Sequence, residues 1–190
     1  WDDKEPKAFI GSPDEAGAGE KGLSGPTSVA VDKDGNLYVA DKGNGRVAAF
    51  KADGSFLGEI KVDRPERVAV NARTGAIYVL CGADLNELRK YGSWKDAAPA
   101  ATAKLPFFKH ANYTAVLAVD ASADPAVVWV ATNSGWAGFK CLRIEDKGAA
   151  FGDQQKLESL DGIDEPAAWG VLGMALDRKG QRLLVGGKNY

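Results

Sequence analysis

Imidazole is almost absent from this chain, whose only histidine in 190 residues is His110. A zinc centre of three imidazoles is thereby excluded within it, and a Ser-His-Asp triad would have to use His110 as its base. The G-x-S-x-G turn that would present such a serine is missing as well. Cysteine is equally scarce. Cys81 and Cys141 stand sixty residues apart, with neither metal-ligand spacing nor a disulfide framework. They read as two buried free thiols, a bridge between neighbouring elements being the alternative. The longest apolar stretches, PAVVWVA and GVLGMAL, are far too short for a transmembrane helix, so no membrane insertion is expected. An excess of either charge is also lacking. Lys plus Arg is 24 against 26 for Asp plus Glu, for a net charge of −2, and the signs are interspersed. Nucleic acid, which demands a basic stripe, is not an expected partner. The opening WDDKEPKAFIG has neither an initiator Met nor a signal-peptide pattern, so the chain is expected to be processed or excised from a longer one.

What the sequence does have is 23 glycines, several of them in turn signals. In GPTSVAVDKDGNLYVADKGNGRVAAFKADGSFLGEI, residues 25–60, four short apolar runs are broken by KDG, KGNG and ADG. Asp-Gly between alternating runs marks a tight reverse turn, because glycine tolerates the positive φ required there. The stretch predicts a four-stranded antiparallel meander. One meander cannot bury both its faces, and the unit recurs. RPERVAVNARTGAIYVLCGADLNELRKYG repeats it, NYTAVLAVDASADPAVVWVATNSGWAGFKCLRIED is a third copy, and GVLGMALDRKGQRLLVGG begins a fourth. The first-strand ends Asp32, Asn71, Asp120 and Asp177 lie 39, 49 and 57 residues apart, which fits propeller blades with variable outer loops.

The expected fold is an all-β propeller of four-stranded antiparallel blades in one domain. Three complete blades are read at 26–60, 65–105 and 113–160, with a further blade starting at 171–190. KAFIG at 7–11 is similar to SFLGE at 55–59 and reads as the outer strand of a preceding blade. Three blades with partial ones at both ends leave open faces. The remainder of the propeller is therefore expected from the same longer chain or from a second chain, a compact four-bladed ring being the alternative.

The first copy resembles the NHL-repeat β-propellers. Pro26, Asp32, Asp34, Gly35, Tyr38, Val39, Ala40, Asp41, Asn44 and Arg46 match that repeat; the second copy keeps Pro65, Gly75, Tyr78 and Val79, and the later copies keep the inner-strand Asp. The resemblance implies a secreted or periplasmic location. It also brings two functions into view. One is a binding or scaffold module that recognises protein or carbohydrate through its loop face. The other is an enzyme similar to propeller lactonases or amidating lyases, with a metal in the central channel completed by missing blades.

Candidate contact residues follow from chemistry and position. Asp41, Asn44 and Arg46 flank a glycine-rich loop, where Arg46 would grip a carboxylate or phosphate, or else pair with Asp41 and fix the loop. His110 lies in the aromatic loop PFFKHANY. Trp136, between Gly135 and Gly138, and Trp169 offer planes for stacking on a sugar or inserting into a partner. Asp32, Asn71, Asp120 and Asp177 are expected to cap turn amides, since calcium would need several oxygens at one point. No catalytic residue, no metal ligand and no cofactor is assigned, although backbone carbonyls near the channel leave a structural calcium open.

Overall fold

The computed structural model describes residues 8–12, 14–84, 86–106, 115–133, 139–157, 171–177 and 182–187, and for 132, 133, 139, 140, 171–177 and 182–187 the backbone alone. The chain forms all-β blades. The first is β1 (Pro26–Val31), β2 (Leu37–Asp41), β3 (Arg46–Phe50) and β4 (Phe56–Lys61), with a single 3₁₀ turn at Lys42–Asn44. The second is β5 (Arg67–Val70), β6 (Ile77–Cys81), β7 (Glu87–Tyr91) and β8 (Ala101–Lys104). The third is β9 (Ala115–Asp120), β10 (Val127–Asn133), β11 (Phe139–Asp146) and β12 (Phe151–Leu157), and β13 (Val171–Asp177) pairs with β14 (Arg182–Gly187). Each four-stranded sheet is a meander in chain order, antiparallel throughout, and β13–β14 is a two-stranded sheet.

Alternation along each strand sends successive side chains to opposite faces, and here both faces are covered. Tyr38, Ala40, Val47, Ala49 and Ile60 of the first blade meet Val68, Ile77, Val79, Cys81 and Tyr91 of the second. The other face of the second blade gives Tyr78, Leu80 and Leu88 to Ala115, Val128, Val130, Leu142 and Ile144 of the third. Strands buried on both sides need apolar residues at every position, which is why IYVLC is buried throughout. The inner strands β1, β5, β9 and β13 lie side by side in that order.

Residues 8–11 run as bends rather than as a strand, with Gly11 at φ 79. A strand exists only against a partner, and none is offered there among the described residues; Ile10 packs with Leu23 over Val39, Ala48 and Phe50. At β1 the row stays open, as the partial blades lead one to expect, with Val29 and Val31 60% and 58% exposed. Cys81 and Cys141 are buried and free, and burial pushes their thiols up to about 12 and about 11, so both are protonated and inert at neutral pH.

Candidate functional site

Asp41 ends β2 and Arg46 opens β3, and the two are cross-strand partners. The loop between them is short because Gly45 takes φ 61, the left-handed conformation that lets the 3₁₀ turn reverse into β3. Both side chains are buried, Asp41 at 0% and Arg46 at 4% exposure. The Nε–H of Arg46 donates to Oδ2 of Asp41 at 2.8 Å, Nη1 donates to Glu59 at 2.8 Å, and Nη2 donates to the carbonyls of Gly19 and Gly22 at 2.8 and 2.7 Å. Asn44 donates to Oδ2 of Asp41 and to the Gly17 carbonyl, both at 2.8 Å. The amide of Ser24 donates to Oδ1 of Asp41 at 2.7 Å. Burial alone would lower the pKa of Arg46, but the bonds to Glu59 and Asp41 outweigh it and the guanidinium is held more firmly charged. Glu59, bonded by Lys61 and Arg46, is held below the usual carboxylate range.

These three residues therefore grip one piece of their own chain, 17–24, and press it onto the first blade. A ligand reaches Arg46 only by displacing that piece. Glu59 and Ser24 complete the grip, and sequence spacing gave no sign of either.

The inner-strand Asx residues do cap their turns. Asp32 Oδ1 accepts the amides of Asp34 and Asn36, each at 2.9 Å, Asn71 Oδ1 accepts those of Arg73 and Thr74 at 2.9 and 3.1 Å, and Asp120 Oδ1 accepts that of Ser122 at 2.9 Å. Asp32 also accepts the Tyr38 hydroxyl at 3.0 Å; burial and this neighbouring carboxylate push Tyr38 up to about 12. The side chain of Asp177 lies outside the described residues, as do His110, Trp136 and Trp169.

A second polar group, not signalled by local spacing, ties the second blade to the third. Asp146 accepts the Tyr78 hydroxyl and, at 2.8 Å, the Lys90 ammonium, which also donates to the Gly148 carbonyl at 2.9 Å. Burial alone would raise the pKa of Asp146, but the bonds from Lys90, Tyr78 and the Gly148 amide outweigh it and the carboxyl is held below its ordinary value. A groove of about 340 Å³ opens beside this seam, lined by Asn71, Arg73, Lys90, Asp124 and Asp146. Its half-buried acid and base answer each other. Between the first and second blades, Trp94 packs against Gly58, where an added Cβ would stand 2.5 Å from the indole. Among the described residues, no three His, Cys, Asp or Glu side chains gather as a metal would require.

The loop face carries charged residues of a different kind. Lys42 donates to Glu66 at 2.7 Å, and Arg67, at the start of β5, reaches across to the Thr27 carbonyl of β1 at 3.1 Å. Arg64 beside them is exposed and held at φ 46, in the left-handed region that a side chain disfavours.

Residues 23–50 match the model of the NHL repeat. No curated protein matches the chain. Among solved structures, virginiamycin B lyase from Staphylococcus aureus is similar at 13% identity and a TM-score of 0.59, over 86% of this chain and 49% of that one. A streptogramin B lyase is similar at 12% identity and a TM-score of 0.60, over 87% and 49%. Hydrazine synthase of Kuenenia stuttgartiensis is similar at 14% identity and a TM-score of 0.59, over 96% and 45%. The likeness is one of fold, and the chain spans about half the length of the structures it matches.

Proposed function

From a chain that carries an NHL repeat on a row of propeller blades, we propose a non-catalytic binding or scaffold module, part of a larger extracytoplasmic protein, that recognises protein or carbohydrate through its loop face. The observation that carries this reading is the internal bonding of the repeat's polar residues. Catalytic acids and bases stand in clefts with their reacting atoms open to substrate. Asp41, Arg46 and Asp146 instead have their polar atoms turned on neighbouring segments of the same chain. Contact with a partner then falls to the loops, where Trp136 and Trp169 supply aromatic planes and His110 a polar edge. The ring is completed by blades from the same longer chain or a second chain.

A second reading draws on the fold shared with two proteins named as lyases. In it a channel metal is held by groups contributed by those further blades. The two readings separate on the purified protein, by elemental analysis for bound metal alongside a screen on immobilised glycans and proteins. The module reading expects a specific captured ligand without stoichiometric metal. Stoichiometric divalent metal together with turnover of a cyclic ester or peptide would replace it with the enzyme. For a captured ligand, Trp136→Ala is expected to weaken affinity about tenfold or more with an unchanged melting temperature, as loss of an aromatic anchor does. Unchanged affinity removes Trp136 from the contact.

A further inference from the structure

Asn-Gly occurs once in the chain, at Asn44–Gly45, in the loop that carries β2 into β3. Of all pairs that begin with asparagine this one is the most prone to lose its side-chain nitrogen, because a residue without a side chain lets its backbone nitrogen approach the preceding carboxamide. The nitrogen of Gly45 bonds to Cγ of Asn44, the carboxamide C–N bond breaks, and the amide proton departs with the amino group as ammonia. Water then opens the cyclic imide to aspartate or isoaspartate. No other reactant is needed.

The fold keeps both reacting groups engaged elsewhere. The carboxamide of Asn44 donates to the Gly17 carbonyl and to Oδ2 of Asp41, both at 2.8 Å. The amide of Gly45 donates back into the 3₁₀ turn, to the Lys42 carbonyl at 3.1 Å. The turn is clamped in its turn by the segment 17–24. The Gly43 amide donates to the Ser24 carbonyl at 2.7 Å, the Ser24 amide donates to Oδ1 of Asp41 at 2.7 Å, and a Cβ on Gly43 would stand 2.4 Å from the Ser24 hydroxyl. When 17–24 lifts, the ties to Gly17 and Ser24 go together, and the loop regains the backbone freedom that closing the imide requires.

The product does not restore the closed state. Asp41 is 0% exposed and meets residue 44 as an acceptor, and the Gly17 carbonyl is an acceptor as well. A carboxylate at 44 gives neither of them a hydrogen and sets a second negative charge beside Asp41, so buried acceptors are left unpaired. Isoaspartate, which routes the main chain through the side-chain carbon, also lengthens the loop by an atom. We infer that Asn44–Gly45 is a self-modification site, guarded while 17–24 is seated and converted when that segment lifts, after which the segment does not reseat. A lasting opening is thereby made permanent, and the side of Arg46 that 17–24 covers stays uncovered. This goes beyond the binding reading and does not depend on it.

Peptide mapping by mass spectrometry of the full chain, aged in mildly alkaline buffer, tests it. The wild type is compared with Gly43→Ala, whose methyl group wedges against Ser24, and with Arg46→Ala, which frees 17–24 by a second route; the wild type unfolded in urea gives the unguarded rate. Folded wild type is expected to convert at Asn44 about tenfold or more slowly than the unfolded chain, and the two variants several-fold faster than folded wild type. Freshly prepared Asn44→Asp, standing for the product, is expected to be cut by trypsin after Lys21 several-fold faster than the wild type, with an unchanged circular dichroism spectrum. Folded wild type that converts as fast as the unfolded chain overturns the guard, as do Gly43→Ala and Arg46→Ala proteins that both convert no faster than wild type. An Asn44→Asp protein as resistant at Lys21 as the wild type overturns the failure to reseat, and the inference with it.

Discussion

Arg46→Ala is expected to lower the unfolding free energy by about 3–5 kcal/mol, because it strands a carboxylate that water does not reach. Asp41 is 0% exposed and would keep only Ser24 and Asn44 as partners, both neutral. The carbonyls of Gly19 and Gly22 would lose their donor in the same step, while Glu59 retains Lys61. For a chain of this size the loss corresponds to a fall in melting temperature of roughly 10 °C. It also has a local signature. With the grip on 17–24 released, trypsin is expected to cut after Lys21 in the variant well before it cuts the wild type. Arg46→Lys should recover only part of the loss, since one ammonium cannot reach Asp41, Glu59 and two carbonyls together. A urea titration measures the first effect and limited proteolysis the second. An Arg46→Ala protein of wild-type stability, resistant at Lys21, would contradict the structural role assigned here.

The second large effect is at the seam of the second and third blades. Asp146→Ala leaves Lys90, 12% exposed, without its counter-charge and Tyr78 without its acceptor, at an expected cost of about 3–5 kcal/mol. The pH dependence has a definite sign. The folded-state pKa of Asp146 is lowered from its usual value near 3.8, so its contribution is fully present above that value and is lost as pH falls through the lower folded one. Below about pH 4 the wild type should therefore lose stability more steeply than Asp146→Asn, and the two curves should converge in acid. Parallel curves from neutral pH to the acid limb would remove Asp146 from the seam.

Blades were legible because their signals are local. Gly35, Gly54 and Gly75 stand at φ 82, 84 and 78, in turns that the Asp-Gly and Thr-Gly pairs announce, and Asp32 and Asn71 sit where an Asx side chain reaches the turn amides. What the sequence hid was pairing between distant positions. The spacing of Asp41, Asn44 and Arg46 shows three polar residues around a loop, but nothing in it points to carbonyls more than twenty residues upstream. Asp146 and Tyr78 lie 68 residues apart, and their meeting follows only from how one blade stacks on the next. The likeness of KAFIG to SFLGE turns on the same kind of pairing. Residues 56–61 are a strand because β3 lies beside them, and among the described residues no strand lies beside 8–11. His110, Trp136 and Trp169 carry the binding proposal on chemistry and position in the sequence.

The repeat's polar residues fasten the chain to itself, and residue-resolved amide hydrogen exchange on the wild type puts that fastening to the test. The amides of Gly17, Ser24 and Gly43 donate to the Leu23 carbonyl, to Asp41 and to the Ser24 carbonyl at 2.9, 2.7 and 2.7 Å. They are expected to exchange as slowly as those of β2 and β3, opening only when the first blade opens. Exchange of these three at the rate of a free chain, with β2 and β3 still protected, would show that 17–24 is not held and that Asp41 and Arg46 have other work.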